Sequence, residues 1–351
     1  MRIDPLRDIG SRLLDVEKPA RYLVGDYGAK IKEGEGLYTL AICFPDLYEI
    51  GMSNNAIRIL YDGLNRIEGL RCERVFAPAV DFERLLGELG LPLYTLETGI
   101  ALCDVDMLGF SVGYELSATN MLAVLASGKI ALSAVERGEG DPIVIAGGPA
   151  ISNPHPFAEF LDAAFIGEAE QGFYGLAAEL AAMKAAGARR KDFLERLSRE
   201  PAIWMPVREG SGGKRALRAV YGGFTGEIYK TATPLPTLKV VQDHGTVEIM
   251  RGCPNGCRFC HAGFYYRPQR IKSFAAIGAE VEHLVREGGH REITLSSLSS
   301  GDYPCLPELL SWLSGLWSRH RVSFQLPSLK VNSFTLPLLS QLAEVRKSGL
   351  T

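Results

Sequence analysis

The 351-residue sequence predicts an α/β protein: a doubly wound, Rossmann-like parallel sheet, followed by an incomplete strand–helix barrel. Three observations predict it. Short, almost continuously apolar runs alternate with stretches of helical period from residue 38 to about 173, the pattern of parallel strands buried on both faces. A second strand–helix series starts near residue 246, and its strands end in polar residues, as at the rim of an α/β barrel. Between the two, residues 202–238 are rich in Gly, Thr and Pro, the composition of a connection. The expected layout is an extension over 1–36, a sheet domain over 37–173, a helical and hairpin linker over 174–245, and the first half of a barrel over 246–351.

Residues 38–44, Tyr-Thr-Leu-Ala-Ile-Cys-Phe, read as a buried strand ending at Pro45 and Asp46. A helix over 53–67 follows, with Ile57, Leu60, Leu64 and Ile67 on one face. The second strand starts at Arg74, and a helix covers 81–89. The third strand, 106–112, leads to a helix through Ala126. The fourth, 142–146, ends in Gly147, Gly148 and Pro149; the fifth, 163–166, ends in Gly167 and Glu168. Ligands of such sheets bind beyond the carboxyl ends of the strands. Those ends carry residues 46–54, 111–115, 147–149 and 167–170. Helices over 172–186 and 190–199 lead into the connection, where a hairpin is expected.

In the second series a strand over 246–250 feeds a loop. A helix over 274–287 places Ile277, Val281 and Leu284 on one stripe. A strand over 292–295, a helix over 306–319, a strand over 322–326 running on to Lys330, and a helix over 336–346 complete it.

Hydrophobic residues make up 46% and charged residues 23%, and the net charge of −3 advertises no global nucleic-acid-binding field. The first residues hold no apolar run of signal type and no stretch approaches a membrane span, so a cytoplasmic protein without membrane contact is expected. Of seven cysteines, Cys43, Cys72, Cys103 and Cys305 stand in mostly apolar surroundings and read as small buried hydrophobes.

The other three, Cys253, Cys257 and Cys260, fall within Arg-Gly-Cys-Pro-Asn-Gly-Cys-Arg-Phe-Cys, residues 251–260. Thiolates crowded on one loop are a metal-ligand arrangement. Three without a fourth leave a coordination position open, which usually means chemistry. Gly252, Pro254, Asn255 and Gly256 let the backbone bend so that its N–H groups point at sulfur. The competing reading is a Cys3His zinc site completed by His261, although adjacent residues rarely both reach one tetrahedral ion.

The spacing C-x3-C-x2-C, with Phe259 before the last cysteine, resembles the signature of the radical S-adenosylmethionine (SAM) enzymes. The resemblance implies that Cys253, Cys257 and Cys260 hold three irons of a [4Fe–4S] cluster. The fourth iron is then chelated by the amino and carboxylate groups of SAM, with Phe259 beside the adenine. One electron, from a flavodoxin- or ferredoxin-type donor, cleaves the sulfonium to a 5′-deoxyadenosyl radical. After the second strand the family often has Gly-Gly-Glu; here Ser299, Ser300, Gly301 and Asp302 stand there, and Asp302 is the candidate for the methionine amine. Lys330 is the candidate for its carboxylate. Arg267 and Arg270 face an anionic substrate, a partner domain or solvent.

The N-terminal sheet resembles the cobalamin-binding domain that precedes the barrel in many members. Asp46-Leu-Tyr48-Glu-Ile-Gly51 stands at the D-x-H-x-x-G run, so Tyr48 replaces the cobalt-binding histidine. Cobalamin is therefore expected without a protein imidazole on cobalt. The resemblance makes Asp46, Tyr48, Gly51, Ser53, Ser111, Gly147, Gly148 and Glu168 its candidate contacts. Residues 48–54, 109–117 and 251–264 carry the likeness furthest. The implied function is radical cleavage of SAM, with methyl transfer through cobalamin to an unactivated carbon; RNA stays among the substrate classes. The alternatives are a methylthiotransferase-like RNA-modifying enzyme without cobalamin, or an inactive metal- or corrinoid-binding module. The family barrel has six strand–helix units, whereas three are legible here. A missing C-terminal half, or a partner chain supplying it, is expected.

Overall fold

The computed structural model describes residues 1–206 and 214–329. They fall into two compact units: Met1–Tyr221 with Thr231–Gln242, and Gly222–Lys230 with Asp243–Thr351, the latter described as far as residue 329.

The first unit is built on a six-stranded sheet. β1 (Tyr38–Phe44), β2 (Leu70–Phe76), β3 (Met107–Ser111), β4 (Ile143–Gly147) and β5 (Ala163–Phe165) run parallel, and β6 (Ile203–Trp204) pairs antiparallel with β5. The order is β2-β1-β3-β4-β5-β6. It reverses direction between β1 and β3, the switch point at which open α/β sheets hold ligands.

Every residue of β1 is buried. Alternate side chains enter two cores, Ala41 and Cys43 one, Leu40, Ile42 and Phe44 the other, as a sheet covered on both faces requires. A single turn, α1 (Tyr48–Gly51), precedes α2 (Asn55–Asn65), which Asn54 caps by accepting the N–H groups of Ala56 at 2.9 Å and Ile57 at 3.3 Å. α3 (Val80–Leu89) and α4 (Ala118–Ser127) close the first core through Phe82, Leu85, Met121 and Val124. α2, α5 (Phe173–Ala185) and α6 (Arg190–Arg199) close the second through Ile57, Leu64, Leu176 and Phe193. Residues 1–36 pack on the same unit, with Ile3, Ile9, Leu13, Val16 and Tyr22 in the core. Of the four cysteines expected to be buried, Cys43 and Cys72 are fully so, and burial pushes both thiols well above their usual pKa, whereas Cys103 is half-buried and Cys305 is exposed.

Two further expectations are corrected. The second strand begins at Leu70 rather than Arg74, because its polar side chains find partners: Arg74 meets Glu97 at 2.6 Å and Asp26 at 3.1 Å, and Arg71 donates to Thr39 Oγ1 at 2.7 Å. No hairpin forms among the described residues of 202–238. Instead β6 extends the sheet beyond β5, and Ala219 makes a parallel bridge to Gly167; both satisfy backbone groups that an open edge would leave bare.

The second unit holds a three-stranded parallel sheet, β7 (Gly245–Glu248), β10 (Glu292–Ser296) and β11 (Ser323–Gln325), in the order β11-β10-β7. A two-residue antiparallel pair, β8 (Met250–Arg251) with β9 (Arg270–Ile271), brackets the cysteine loop and the short α7 (His261–Tyr265). α8 (Phe274–Arg286) and α9 (Leu306–Trp317) cover one face through Ile277, Val281, Leu309 and Leu313, which meet Val247, Ile293, Leu295 and Phe324. Thr246, Glu248, Thr294, Ser296 and Gln325 alternate with those apolar residues and so line the opposite, polar face.

The segment Gly222–Lys230 belongs to this unit. Phe224 is fully buried in it, Ser273 N–H donates to the Thr225 carbonyl at 2.9 Å, and Tyr229 N–H donates to Glu280 Oε1 at 2.8 Å. Lys272 pairs with the same Glu280 at 2.5 Å. Burial raises the Glu280 carboxyl pKa, while Lys272 pulls it down. The expected helix over 336–346 lies outside the described residues, and no helix among them is long and apolar enough to cross a membrane.

Candidate functional site

The cysteine loop starts from β8 with a tight reversal at Gly252 (φ +83°). A Cβ there would lie 2.6 Å from the Tyr266 carbonyl oxygen and 2.8 Å from that of Pro268, so only glycine lets the start of the loop pass its own return. None of the three cysteines forms a disulfide; Cys257 is exposed, Cys253 and Cys260 half-buried. Cys260 N–H donates to the Cys257 carbonyl at 3.1 Å, and Cys260 Sγ caps α7 by accepting the Gly263 N–H at 3.4 Å. Asn255 Nδ2 lies 3.3 Å from Cys253 Sγ and donates to Asp302 Oδ2 at 2.7 Å. Among the described residues no three His, Cys, Asp or Glu side chains are gathered closely enough to share one metal ion. A cubane takes each thiolate on a different iron, so it asks for a trio set wider apart than one ion does.

Phe259 is 91% exposed, its ring open on the loop surface. His261 lies against Tyr265, 5.8 Å between ring centroids. Arg267 stacks over Phe264 at 4.5 Å and donates to the Gly263 carbonyl, and Arg270 donates to the carbonyls of Pro268 and Tyr266; both arginines brace the loop.

After β10, Asp302 receives the Ser299 hydroxyl at 2.7 Å as well as Asn255. Ser300 is buried, and its hydroxyl is tied to the Pro327 carbonyl at 2.8 Å and to Ser297 at 3.0 Å, so it holds the turn to the next strand. Gly301 is half-buried beside it. Lys330 lies outside the described residues. Asp302 is thus the one carboxylate of this turn that the structure brings to the cysteine loop.

In the first unit the strand-end candidates divide. Tyr48 is buried; its hydroxyl donates to Asp26 Oδ2 at 3.0 Å and accepts the Thr237 N–H at 3.1 Å. Burial, then the Asp26 charge, push its pKa up to about 12. Ser53 Oγ donates to the Glu49 carbonyl at 2.7 Å and accepts the Gln242 N–H at 2.9 Å. A Cβ on Gly51 would enter the Phe76 ring, and one on Gly148 (φ +104°) would lie 2.5 Å from the Val112 carbonyl oxygen. Glu168 is buried and accepts the Tyr221 N–H at 3.3 Å. Tyr48, Ser53 and Glu168 thus have partners within the unit, and the space beside Gly51 and Gly148 is filled by it. Asp46, Ser111 and Gly147 are half-buried at the ends of β1, β3 and β4, with Ser111 and Gly147 paired in register. Asp26, Thr237, Gln242 and Tyr221 are the partners that local pattern did not announce, since each meets its site from a distant part of the chain.

Two family models match the chain: "Radical SAM proteins, N-terminal" over residues 56–206, and "Radical SAM superfamily" over residues 247–350. The uncharacterized protein MJ0966 of Methanocaldococcus jannaschii is 23% identical over 279 residues, 79% of this chain and 53% of that protein. A tRNA-2-methylthio-N(6)-dimethylallyladenosine synthase of Dehalococcoides mccartyi is 36% identical over 85 residues, 22% of this chain and 20% of the enzyme. The radical SAM methyltransferase TsrM from Kitasatospora setae shares the fold in two solved structures. The one with tryptophan substrate and a SAM analogue bound matches at TM-score 0.59 and 14% identity, covering 89% of this chain and 58% of its own. The other, with cobalamin and a [4Fe–4S] cluster bound, matches at TM-score 0.59 and 14% identity, covering 90% and 60%. The chain therefore spans about half the length of MJ0966 and under two thirds of TsrM.

Proposed function

The chain belongs to the radical SAM superfamily, and on that footing we propose that it is an enzyme that cleaves SAM reductively at a [4Fe–4S] cluster held by Cys253, Cys257 and Cys260. The observation that carries this reading is the set of three disulfide-free cysteines on one loop, joined through Asn255 to the Asp302 carboxylate. The donor set fits the group: thiolates are the ligands iron–sulfur clusters take, and two of these sulfurs already receive N–H donors of the kind that tune such clusters. When bound, the cluster and SAM supply a one-electron reduction that breaks a carbon–sulfur bond, with a flavodoxin- or ferredoxin-type protein as electron donor.

The chain's own residues orient and select. Asp302 takes the methionine amine of SAM as a charge-assisted acceptor, and Asn255 and Ser299 aim that carboxylate. Phe259 offers the adenine an open ring face. In the first unit, Asp46, Ser111 and Gly147 rim the switch point where cobalamin would lie. Tyr48, a neutral phenol whose hydroxyl already donates to Asp26 and accepts from Thr237, would pack beneath the cofactor's side of the sheet without offering its oxygen to the metal. Strand order, and the shared fold with TsrM, support methyl transfer through cobalamin.

A second reading is favoured by the 85-residue likeness to the tRNA methylthiolating enzyme. It keeps the cleavage, takes RNA as substrate and needs no cobalamin. Anaerobic reconstitution with iron and sulfide, dithionite reduction and quantification of 5′-deoxyadenosine test the common step. Zinc in place of iron, or no SAM cleavage by iron-loaded protein, overturns it. Co-purification of hydroxocobalamin, read from its visible absorbance, separates the two readings.

A further inference from the structure

The excursion that carries the three cysteines leaves the small antiparallel pair at Arg251 and returns just before Lys272. Both cations lie over one ring. The Arg251 guanidinium carbon is 4.8 Å, and Lys272 Nζ 5.1 Å, from the centroid of Phe224, which is 0% exposed. Each cation is also held by a carboxylate: Arg251 by Glu248 at 2.8 Å, Lys272 by Glu280 at 2.5 Å. The Tyr229 ring closes on Lys272 Nζ at 4.5 Å. Lys272 N–H donates to the Ile249 carbonyl at 2.9 Å, and the next residue donates to Thr225, so backbone bonds fix the same floor.

A buried phenylalanine is ordinarily packing alone. This one differs because its neighbours are two like charges, one at each foot of one loop. Two cations brought near one another repel. The negative face of an aromatic ring attracts each of them, the more so away from water. With each charge already met by a carboxylate and the backbone held by the β8–β9 pair, the shared ring adds one contact that both cations have in common, and it comes from the segment that carries Phe224.

We propose that Phe224 is a positioning residue for the cysteine loop: by holding Arg251 and Lys272 against one ring it sets the separation of the loop's two feet, and with it the presentation of Cys253, Cys257 and Cys260. The inference rests on the cluster-binding reading above and gives the segment Gly222–Lys230 a task within it.

Hydrogen exchange on the full-length, cluster-free chain tests this. Wild type is compared with Phe224→Leu, which keeps apolar bulk without a ring, and with pentafluorophenylalanine at position 224, which keeps the ring but withdraws its negative face. Exchange over residues 250–273 accelerates about tenfold in both, while β7, β10 and the first unit exchange as in wild type. Unchanged exchange over 250–273 in the fluorinated protein overturns the proposal. So does an acceleration spread evenly through β7 and β10, which makes Phe224 an ordinary core residue. After reconstitution, both variants retain about threefold less iron than wild type through gel filtration. If wild type itself takes up no iron, the cluster reading fails, while the exchange comparison still decides whether the ring holds the loop.

Discussion

Nδ2 of Asn255 donates to Oδ2 of Asp302 at 2.7 Å, joining the loop of three cysteines to the turn after β10. The two residues lie on separate strand–helix units, and the bond brings a carboxylate to the edge of the thiol cluster. Local spacing alone does not produce such a link; parallel pairing of β7 with β10 does, because it sets both strand ends at one level.

Asp302→Asn keeps the shape of that carboxylate and removes its charge. SAM binding to the iron-loaded protein weakens by about 1.5–3 kcal/mol, the usual worth of a hydrogen bond to a charged group, with iron content unchanged. Equilibrium dialysis with labelled SAM measures it. An unaltered affinity removes Asp302 from the SAM site.

Cys257→Ala changes an exposed residue and leaves the stability of the apo protein within about 0.5 kcal/mol. Bound iron falls and 5′-deoxyadenosine formation ceases. Denaturant unfolding beside an iron assay separates the two effects. Full iron loading in this variant places the cluster elsewhere.

Tyr48→Phe removes a hydroxyl that donates to Asp26 and accepts from Thr237. Stability drops by about 1–2 kcal/mol. The absorbance of bound hydroxocobalamin stays as in wild type. A spectral shift on substitution puts the phenol oxygen on cobalt and refutes the structural role.

The glycine pair at the end of β4 separates folding from binding. Gly148→Ala drives a methyl against the Val112 carbonyl at a positive φ and destabilises the first unit by about 2 kcal/mol or more. At Gly147 the nearest atom to a new methyl is 3.5 Å away, an ordinary contact, so Gly147→Ala folds normally. Cobalamin affinity in that variant falls several-fold if the nucleotide tail passes there; thermal melts with and without cobalamin report both quantities.

Glu49 is pushed up by burial and pulled down more strongly by hydrogen bonds from Arg21 and Lys18, settling at about 2 against an ordinary 4.5. A depressed carboxyl pKa means the native state holds its proton less tightly than the unfolded chain. Its stabilisation is therefore whole above about 4.5 and drains away as pH falls toward 2. Glu49→Gln loses on the order of 2 kcal/mol at neutral pH and flattens the acid limb of the stability curve across that window. Urea titrations at several pH values show it, and an acid limb unchanged in the variant contradicts the assignment.

Much of the first sheet was legible because its strands are apolar on both sides: β1 matches the expected 38–44 residue for residue. The start of β2 was hidden because Arg71, Glu73 and Arg74 look solvent-facing. Thr39 and Thr95 give Arg71 and Glu73 hydrogen bonds and Glu97 pairs with Arg74, partners that only the folded chain delivers. The connection was misread for the same reason. Gly, Thr and Pro say that regular structure is scarce over 202–238; they do not say that Ile203 and Ala219 will dock on β5 and Gly167. At the candidate site the cysteines were legible from spacing, whereas Ser300, Tyr48 and Ser53 turned out to hold neighbouring segments together through bonds to Pro327, Thr237 and Gln242.

The two thiols sealed in the first unit, Cys43 and Cys72, give the chain an internal yardstick. Burial keeps them protonated and out of reach of alkylating reagents while the sheet is intact. A mass-resolved alkylation run can therefore read modification of Cys253, Cys257 and Cys260 against two positions that stay blank in intact molecules. Label appearing on that pair marks the fraction of a preparation that has come apart, so each iron-loading experiment carries its own measure of sample integrity.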